Sequence, residues 1–228
     1  FGIVYGIGAF SLAKDIGVSN KEAKHYIESY LAHYSGVDSY MKNVVEPIKN
    51  KNELERIEAY LEKHSKRNRL IFTFGINTGL RVSDILGLDV KDVENKSYVE
   101  IKEKKTGKYK RFPLNSKLKV LIKDYLKNER SKSYSLSEKE PLFLGKKHCR
   151  LDRSQVYRFL NAACKNLGIT ANIGTHTMRK SFGYHFYKKY NDVALLQKIL
   201  NHSSPAITLR YIGIAQEEID FSYNNFEL

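Results

Sequence analysis

The sequence is poor in cysteine and has no long apolar run. Cys149 and Cys164 are the only cysteines, and neither a CxxC pair nor a clustered His/Cys spacing occurs. A disulfide framework and a zinc site are therefore both disfavoured, and reduced thiols in a cytoplasm are the default. Because no uninterrupted apolar run approaches about 18 residues and no lipidation motif is present, a membrane role is not expected. We therefore expect a cytoplasmic protein.

Acidic residues are also scarce relative to basic ones. Lys and Arg number 39 against 25 Asp and Glu, a formal net charge of +14. Residues 1–43 contain four bases and four acids, so the whole excess lies in 44–228. A charge of this size favours a polyanionic partner, and 44–228 is the candidate nucleic-acid binder.

The first ten residues, FGIVYGIGAF, have no basic leader and no cleavage site. We therefore expect that they are not a signal peptide. The chain has no starting Met, which is compatible with a fragment.

Helical patterns dominate the chain. In residues 1–43, Ser19 and Glu22 form a capping box before a helix that we expect to end at Gly36. Apolar residues recur at helical spacing through most of 50–210, and Gly79 is expected to close a buried helix. Residues 96–114 instead alternate like a β-hairpin, with Thr106 and Gly107 at its tip.

These patterns predict a mainly α fold with a small antiparallel β-sheet (α+β). The mixture of proline and charge in VVEPIKNKN marks a junction at 43–50. We expect a helical segment in residues 1–43 and a second domain in residues 44–228.

Four sequence stretches within residues 44–228 indicate a function when they are considered together and in their order along the chain. They are TGLRVSDILGL (78–88), KKTGKYKRFPL (104–114), THTMRKSFG (175–183) and LNHSSPAITLRYIG (200–213). They resemble the motifs of the tyrosine recombinases (phage integrase family), and the match runs through nearly all of 70–215. The fold implied is the tyrosine recombinase catalytic domain.

The resemblance also implies the site. It assigns catalytic roles to Arg81, Lys105, His176, Arg179, His202 and Tyr211, with Asp84 as a carboxylate that orients them. One departure is Asn201, where the family often has Gly; Asn can still adopt a left-handed turn.

The family chemistry is attack by a tyrosine hydroxyl on a DNA phosphodiester. Arg81 and Arg179 suit the phosphate because a guanidinium donates two parallel hydrogen bonds and stays charged. Tyr211 is a poor nucleophile at neutral pH and needs a base, for which His176 is the candidate. His176 and Arg179 are three residues apart and so share a helix face, which Thr175 is expected to cap.

The remaining roles complete the reaction. Lys105 on the hairpin would protonate the departing 5′ oxygen, with Lys104 and Lys108 as rivals, and His202 would hydrogen-bond the phosphate. The covalent 3′-phosphotyrosine keeps the energy of the broken bond, so no metal, ATP or other cofactor is expected.

Other interpretations of the same residues stay open. Tyr184, Tyr187 and Tyr190 rival Tyr211, but their three-residue spacing is more typical of a packing stripe. A lone His176 would more often be structural, and a lone Arg81 a surface ion pair. Only their joint spacing favours a catalytic site.

Residues 1–43 resemble a different family, the fingers region of family A DNA polymerases, through the FGIVYG segment. The preceding Arg and Lys of that motif and every palm carboxylate are absent, so polymerase activity is not expected. This segment stands where complete recombinases usually have a core-binding domain.

The predicted function is that of a site-specific DNA recombinase (integrase). The partners implied are double-stranded DNA attachment sites, further copies of the chain in a tetramer on DNA, and accessory DNA-bending or directionality proteins; no membrane is implied. The alternatives are a type IB topoisomerase-like nicking and resealing enzyme, and a non-catalytic DNA-binding module that lacks the core-binding domain.

Overall fold

The computed structural model describes residues 9–33, 45–130, 140–145, 149–214 and 224–227. The chain divides into two compact units. One comprises Phe1–Val44 with Gly213–Leu228, and the other comprises Val45–Ile212. The predicted domain limits, 1–43 and 44–228, stay a prediction.

Two helices are described in the first unit, α1 (Ala9–Ile16) and α2 (Asn20–His33). The capping box is confirmed: the Ser19 N–H donates to Glu22 Oε2 at 2.9 Å, and the Glu22 N–H donates to Ser19 Oγ at 3.2 Å. Gly36, the predicted end of this helix, lies outside the described residues.

Helices also dominate the second unit, where one two-stranded sheet is described. This confirms the predicted mainly α fold with a small antiparallel sheet. The α-helices and strands are α3 (Lys51–His64), α4 (Lys66–Thr78), α5 (Val82–Ile85), β1 (Tyr98–Lys102), β2 (Tyr109–Pro113), α6 (Ser116–Tyr125), α7 (Arg153–Asn166), α8 (Thr177–Tyr190), α9 (Val193–Leu200) and α10 (Pro205–Ile212), with a 3-10 helix at Val90–Asp92 and a π-helical turn at Leu126–Arg130.

Helix α4 is the central element of this unit. Its apolar residues are buried on nearly every side, with Phe72 and Phe74 fully inaccessible, and Phe74 meets Phe143 edge to face at 6.5 Å. Each such burial contributes roughly 1.5–3 kcal/mol to the free energy of folding. Gly79 ends the helix with φ of 62°, as predicted, because that conformation suits a residue without Cβ.

Gly75 in α4 and Gly79, which caps it one turn later, allow α8 to approach closely. A Cβ at Gly75 would meet Met178 Cβ at 2.6 Å, and a Cβ at Gly79 would overlap the Phe182 ring. Met178 and Phe182 are likewise one turn apart on α8. Because glycine has no Cβ atom, these two positions set the distance between α4 and α8.

The predicted hairpin is confirmed. Strand β1 pairs antiparallel with β2, in a register that sets Tyr98 opposite Pro113 and Lys102 opposite Tyr109. Val99 and Phe112, paired with each other, are buried on one face of the sheet. Gly107 has φ of 67° in the connecting turn.

Among the described helices, none has the length and apolar character that crossing a membrane requires.

We expect Gly75→Ala to lower the free energy of unfolding by about 1–3 kcal/mol, because the new methyl group overpacks the α4–α8 contact at Met178. Urea denaturation measures the change. Gly145→Ala is the matched control, since its new Cβ would meet no atom closer than 3.5 Å and surface changes of this kind are usually within about 0.5 kcal/mol. Equal stability of the two variants would contradict the tight helix contact.

Candidate active site

The site residues predicted from the sequence come from separate elements of the second unit. Arg81 precedes α5, His176 precedes α8, and Arg179 lies in the first turn of α8. The other three lie in the hairpin turn (Lys105), in the turn after α9 (His202) and in α10 (Tyr211). The structure brings His176, Arg179 and His202 around the Tyr211 ring.

Tyr211 is in direct contact with both predicted histidines. Its hydroxyl is 3.2 Å from His176 Nδ1, a hydrogen bond whose donor depends on the histidine tautomer. The His202 ring meets the Tyr211 ring edge to face, with 4.9 Å between centroids. The Arg179 guanidinium carbon lies 6.0 Å from the centre of the same ring. The hydroxyl thus has a proton acceptor and a cation beside it.

Electrostatics around the hydroxyl act in opposite directions. Burial raises the pKa of Tyr211, while the charge and hydrogen bond of Arg179 oppose that rise. Burial, followed by the charge of Arg179, lowers the pKa of His176, so its ring is neutral near pH 7 and can accept a proton. Tyr211 therefore keeps its proton in the free protein and has a base within reach.

Arg179 is almost fully buried and is held by two main-chain carbonyl groups. Nη1 donates to Gly79 O at 2.7 Å and Nη2 donates to Leu200 O at 2.5 Å. Gly79 caps the C-terminus of α4 and Leu200 is the last residue of α9. Because helix C-termini carry partial negative charge, both ends attract the guanidinium.

Arg81 lies beside the buried carboxylate of Glu103. Its Nη1 is 2.9 Å from Glu103 Oε2 and 3.9 Å from Asp84 Oδ2. The Glu103 carboxylate thus holds Nη1 in a buried ion pair. A guanidinium oriented by a carboxylate can offer its remaining N–H groups to an anionic ligand such as a phosphate.

Asp84 connects the arginine segment to the hairpin. The side chain is buried, and Oδ1 accepts the N–H of Lys104 at 3.0 Å. Its role as an orienting carboxylate stays a prediction. The contact fixes the main chain immediately before Lys105.

Lys105 is exposed on the hairpin turn. Its charge still acts on His176, where it helps to lower the pKa after burial, Arg179 and Lys180. The turn is closed by the Gly107 N–H donating to Glu103 O at 2.9 Å. Lys105 therefore lies within a hydrogen-bonded turn, with its side chain exposed.

His202 follows a left-handed residue. Asn201 caps α9 with φ of 52°, as the sequence predicted for this departure from the family. His202 Nδ1 is 3.1 Å from Thr208 Oγ1. Burial, then the charges of Arg179 and Arg81, lower the pKa of His202 to about 4.

One detail of the predicted site is wrong. Thr175 does not cap α8; His176 is the N-cap residue, and no side chain accepts a hydrogen bond there. Instead, the Gly174 N–H donates to Thr177 Oγ1 at 3.0 Å. The His176 ring is thereby left for Tyr211.

Two residues of the site were missed by the sequence analysis. Glu103 is buried, and Lys110 donates to Ile199 O at 2.9 Å. Burial, followed by the charge of Arg179, lowers the pKa of Lys110 to about 8. The hairpin alternation was a usable signal: period two places Glu103 on the side of Val99, and Lys110 on the side of Phe112.

Within the described ranges, no group of three or more His, Cys, Asp or Glu side chains is placed to hold a metal ion. The charges that act on Tyr211 are those of Arg179 and Arg81, which suits an anion.

Comparison with known proteins yields one extended family match. The model of the phage integrase family matches residues 49–218. YoeC of Bacillus subtilis, a probable integrase/recombinase, is 41% identical over 187 residues, covering 81% of this chain and 98% of that protein. The tyrosine recombinase XerC of Thermodesulfovibrio yellowstonii is 30% identical over 219 residues, covering 94% of this chain and 67% of the relative.

Solved structures give the same likeness. The XerH site-specific recombinase, in a post-cleavage complex with a palindromic difH substrate, has a TM-score of 0.63 and 25% identity over 80% of this chain and 54% of its own. The XerA recombinase has a TM-score of 0.65 at 20% identity, over 80% of this chain and 65% of its own. The likeness to XerA bears on the fold alone.

A second family model, that of DNA polymerase family A, matches residues 1–74. This is less than half of the chain and overlaps the integrase match from residue 49. The polymerase resemblance of residues 1–43 stays a prediction.

We expect His202 to titrate with a pKa of about 4, so that its ring is neutral at pH 7. An NMR titration of the histidine ring protons measures this, with the His202 signal assigned by its loss in His202→Gln. A midpoint near the ordinary value of about 6.5 would contradict the described burial and cationic surroundings.

Proposed function

This chain belongs to the phage integrase family and is a tyrosine recombinase, and we propose that it cleaves and rejoins DNA strands at a specific site through a covalent bond between Tyr211 and a 3′ phosphate. The observation that carries the proposal is the Tyr211 hydroxyl, 3.2 Å from His176 Nδ1 and beside the Arg179 guanidinium. The net charge of +14 favours DNA as the partner.

In the cleavage step, the Tyr211 oxygen attacks the scissile phosphorus. A phosphorus–oxygen bond to tyrosine forms, the bond to the 5′ oxygen breaks, and the tyrosine proton passes to His176 Nδ1. Lys105 donates a proton to the departing 5′ oxygen. The products are a 3′-phosphotyrosine and a free 5′-hydroxyl.

Cations bind the phosphate in this proposal. The Arg81 guanidinium, held by its ion pair with Glu103, supplies its remaining N–H groups, and Arg179 supplies charge on the tyrosine side. The Thr208 hydroxyl, which donates to Ser204 O at 3.2 Å in the free protein, would have to turn to His202 Nδ1; the proton of the neutral His202 ring then lies on Nε2 and can bind a phosphate oxygen. These groups are positioned before the substrate arrives, which is the main source of transition-state stabilisation in such sites.

Rejoining reverses the step with a 5′-hydroxyl from another strand. Because one phosphoester bond replaces another, no ATP is required. The partners that we propose are double-stranded attachment sites, further copies of the chain in a tetramer on DNA, and accessory DNA-bending or directionality proteins. The XerH relative is bound to a palindromic DNA substrate, which supports a symmetric assembly.

For the domain organisation, we propose that residues 44–228 form the catalytic domain and that residues 1–43 form a helical segment that resembles the fingers region of family A DNA polymerases. The family A polymerase match over 1–74 supports the second part. We further propose a cytoplasmic location, where DNA would be accessible.

We expect the protein to form a detergent-stable adduct with DNA that Tyr211→Phe abolishes, since phenylalanine has no hydroxyl. The probe is a pool of nicked duplexes with randomised arms, from which covalently attached strands are recovered after denaturation and sequenced. A nick lets the short 5′-hydroxyl strand diffuse away and traps the intermediate. Tyr184→Phe, on the rival stripe of α8, is the matched control and should form adduct at the wild-type rate.

Loss of the adduct in Tyr184→Phe, with retention in Tyr211→Phe, would contradict the assignment of the nucleophile. No adduct with any duplex, despite DNA binding, would contradict the proposed function and favour a non-catalytic module. Supercoil relaxation without strand exchange would favour the topoisomerase-like activity.

We expect Lys105→Ala to slow cleavage by about 100- to 10,000-fold, the range for loss of a general acid. Lys105→Ala should cleave a recovered duplex, in which sulfur replaces the 5′ bridging oxygen, nearly as fast as the wild-type protein does. The reason is that a thiol, with a pKa of roughly 8.5, leaves as a thiolate without a proton. Lys104→Ala and Lys108→Ala are the controls. If sulfur restores cleavage in either of these variants but not in Lys105→Ala, the general acid is the lysine replaced in that variant and not Lys105.

A further inference from the structure

Glu103 is a buried carboxylate at the junction of three parts of the site. It is 1% exposed and lies where the hairpin turn begins. Its Oε2 atom is within 3.0 Å of three donors: Thr106 Oγ1 at 2.7 Å, Arg81 Nη1 at 2.9 Å and Asn201 Nδ2 at 3.0 Å. One oxygen thus joins the hairpin, the arginine segment and the turn before His202.

A buried carboxylate is costly unless donors surround it. Burial favours the neutral form of Glu103, but the hydrogen bonds from Thr106, Asn201 and Arg81 and the charge of Arg81 outweigh it and lower the pKa. The group is therefore ionised at neutral pH. Such an arrangement favours one geometry of the surrounding segments, because displacing any donor leaves a buried charge less compensated.

Asn201 supplies the donor from the turn. The family often has Gly at this position, which has no side chain to offer. Asparagine tolerates the left-handed conformation found here, with φ of 52° and ψ of 43°, and adds an amide that reaches Glu103. Asn201, which departs from the family pattern, and Glu103 are therefore the donor and the acceptor of one hydrogen bond.

A second contact joins the same elements. Lys110, near the start of β2, donates to Ile199 O, while Arg179 donates to the next carbonyl, Leu200 O. Both sides of the hairpin turn therefore contact the end of α9. Glu103 accepts from the Asn201 side chain, and the Lys110 side chain donates to the main-chain carbonyl of Ile199. Movement of the hairpin would break both contacts.

We propose that Glu103 is a positioning residue which, through Asn201 and Thr106, holds the hairpin bearing Lys105 in register with Arg81 and with the turn bearing His202. It touches no substrate. Its effect reaches the reaction through the placement of Lys105 and Arg81. This inference rests on the proposed function of Tyr211 and Lys105.

We expect Glu103→Gln to slow cleavage by about 10- to 100-fold, the usual effect of losing a group that orients a site. The rate is measured with enzyme in excess over a trapped duplex recovered as above. Glu100→Gln is the matched control: the same change on β1, at an exposed ion pair with Arg111 at 3.6 Å. It should cleave at the wild-type rate.

Asn201→Gly tests the contact from the other side without straining the backbone. We expect a loss of about tenfold, as for one hydrogen bond to a charged group. Asn191→Gly is its control, because Asn191 also caps a helix in the left-handed conformation, with φ of 51°, and is exposed. If Glu103 and Asn201 act through one contact, the double variant should lose little more than Glu103→Gln alone.

The sulfur-bridged duplex separates positioning from general loss of structure. If Glu103 places Lys105, the sulfur substrate should recover part of the loss in Glu103→Gln, whereas partial unfolding would slow both substrates equally. Urea denaturation of each variant checks that the protein is folded at the assay temperature.

The proposal is overturned by a wild-type cleavage rate in Glu103→Gln, by losses that multiply in the double variant, or by equal slowing of both substrates. Failure of the wild-type protein to form any adduct would instead contradict the proposed function itself. The two failures are thus distinguishable in one set of reactions.

Discussion

The site depends on one buried cation held by the ends of two helices. Arg179 donates to the carbonyl that closes α4 and to the last carbonyl of α9. These carbonyls belong to the groups that a helix leaves without an internal partner, so the arginine compensates both termini while they compensate its charge. Replacement of Arg179 would therefore disturb the placement of Arg81 and His202 together, because each follows one of these ends.

Burial and the neighbouring charges together set the protonation of the site before DNA binds. Burial and neighbouring charges keep His176 and His202 neutral, while burial keeps the proton on Tyr211. A phosphate would reverse part of this balance by bringing negative charge among Arg81, Arg179 and Lys105. The free protein thus has a protonated nucleophile and a neutral base.

Sequence reasoning predicted the outline of the fold because its signals are local. The alternation of β1 and β2, the glycine that ends α4 and the capping box at Ser19 each depend on a few neighbouring residues. The candidate site residues came from motif order, and the structure brings Tyr211, His176 and Arg179 together, although their roles stay predictions. The burial of Glu103 and Lys110 was not predicted, because a run of charged residues in a hairpin is typical of a solvent-exposed turn. Only long-range contacts determine which of its charges are buried. Thr175 failed as a cap because the helix begins later than a capping preference suggests.

Gly75 in α4 and Gly79 at its end make the site sensitive to helix packing as well as to its charged residues. Gly75 and Gly79 fix how near α8 lies, and α8 carries Arg179 while the chain after Gly79 carries Arg81. The separation of Arg81 and Arg179 therefore depends on the absence of a Cβ atom at Gly75 and Gly79. A family member with larger residues at these places would have to change Met178 and Phe182 in step. Variation at the four positions should thus be correlated in evolution, although none of them takes part in the chemistry.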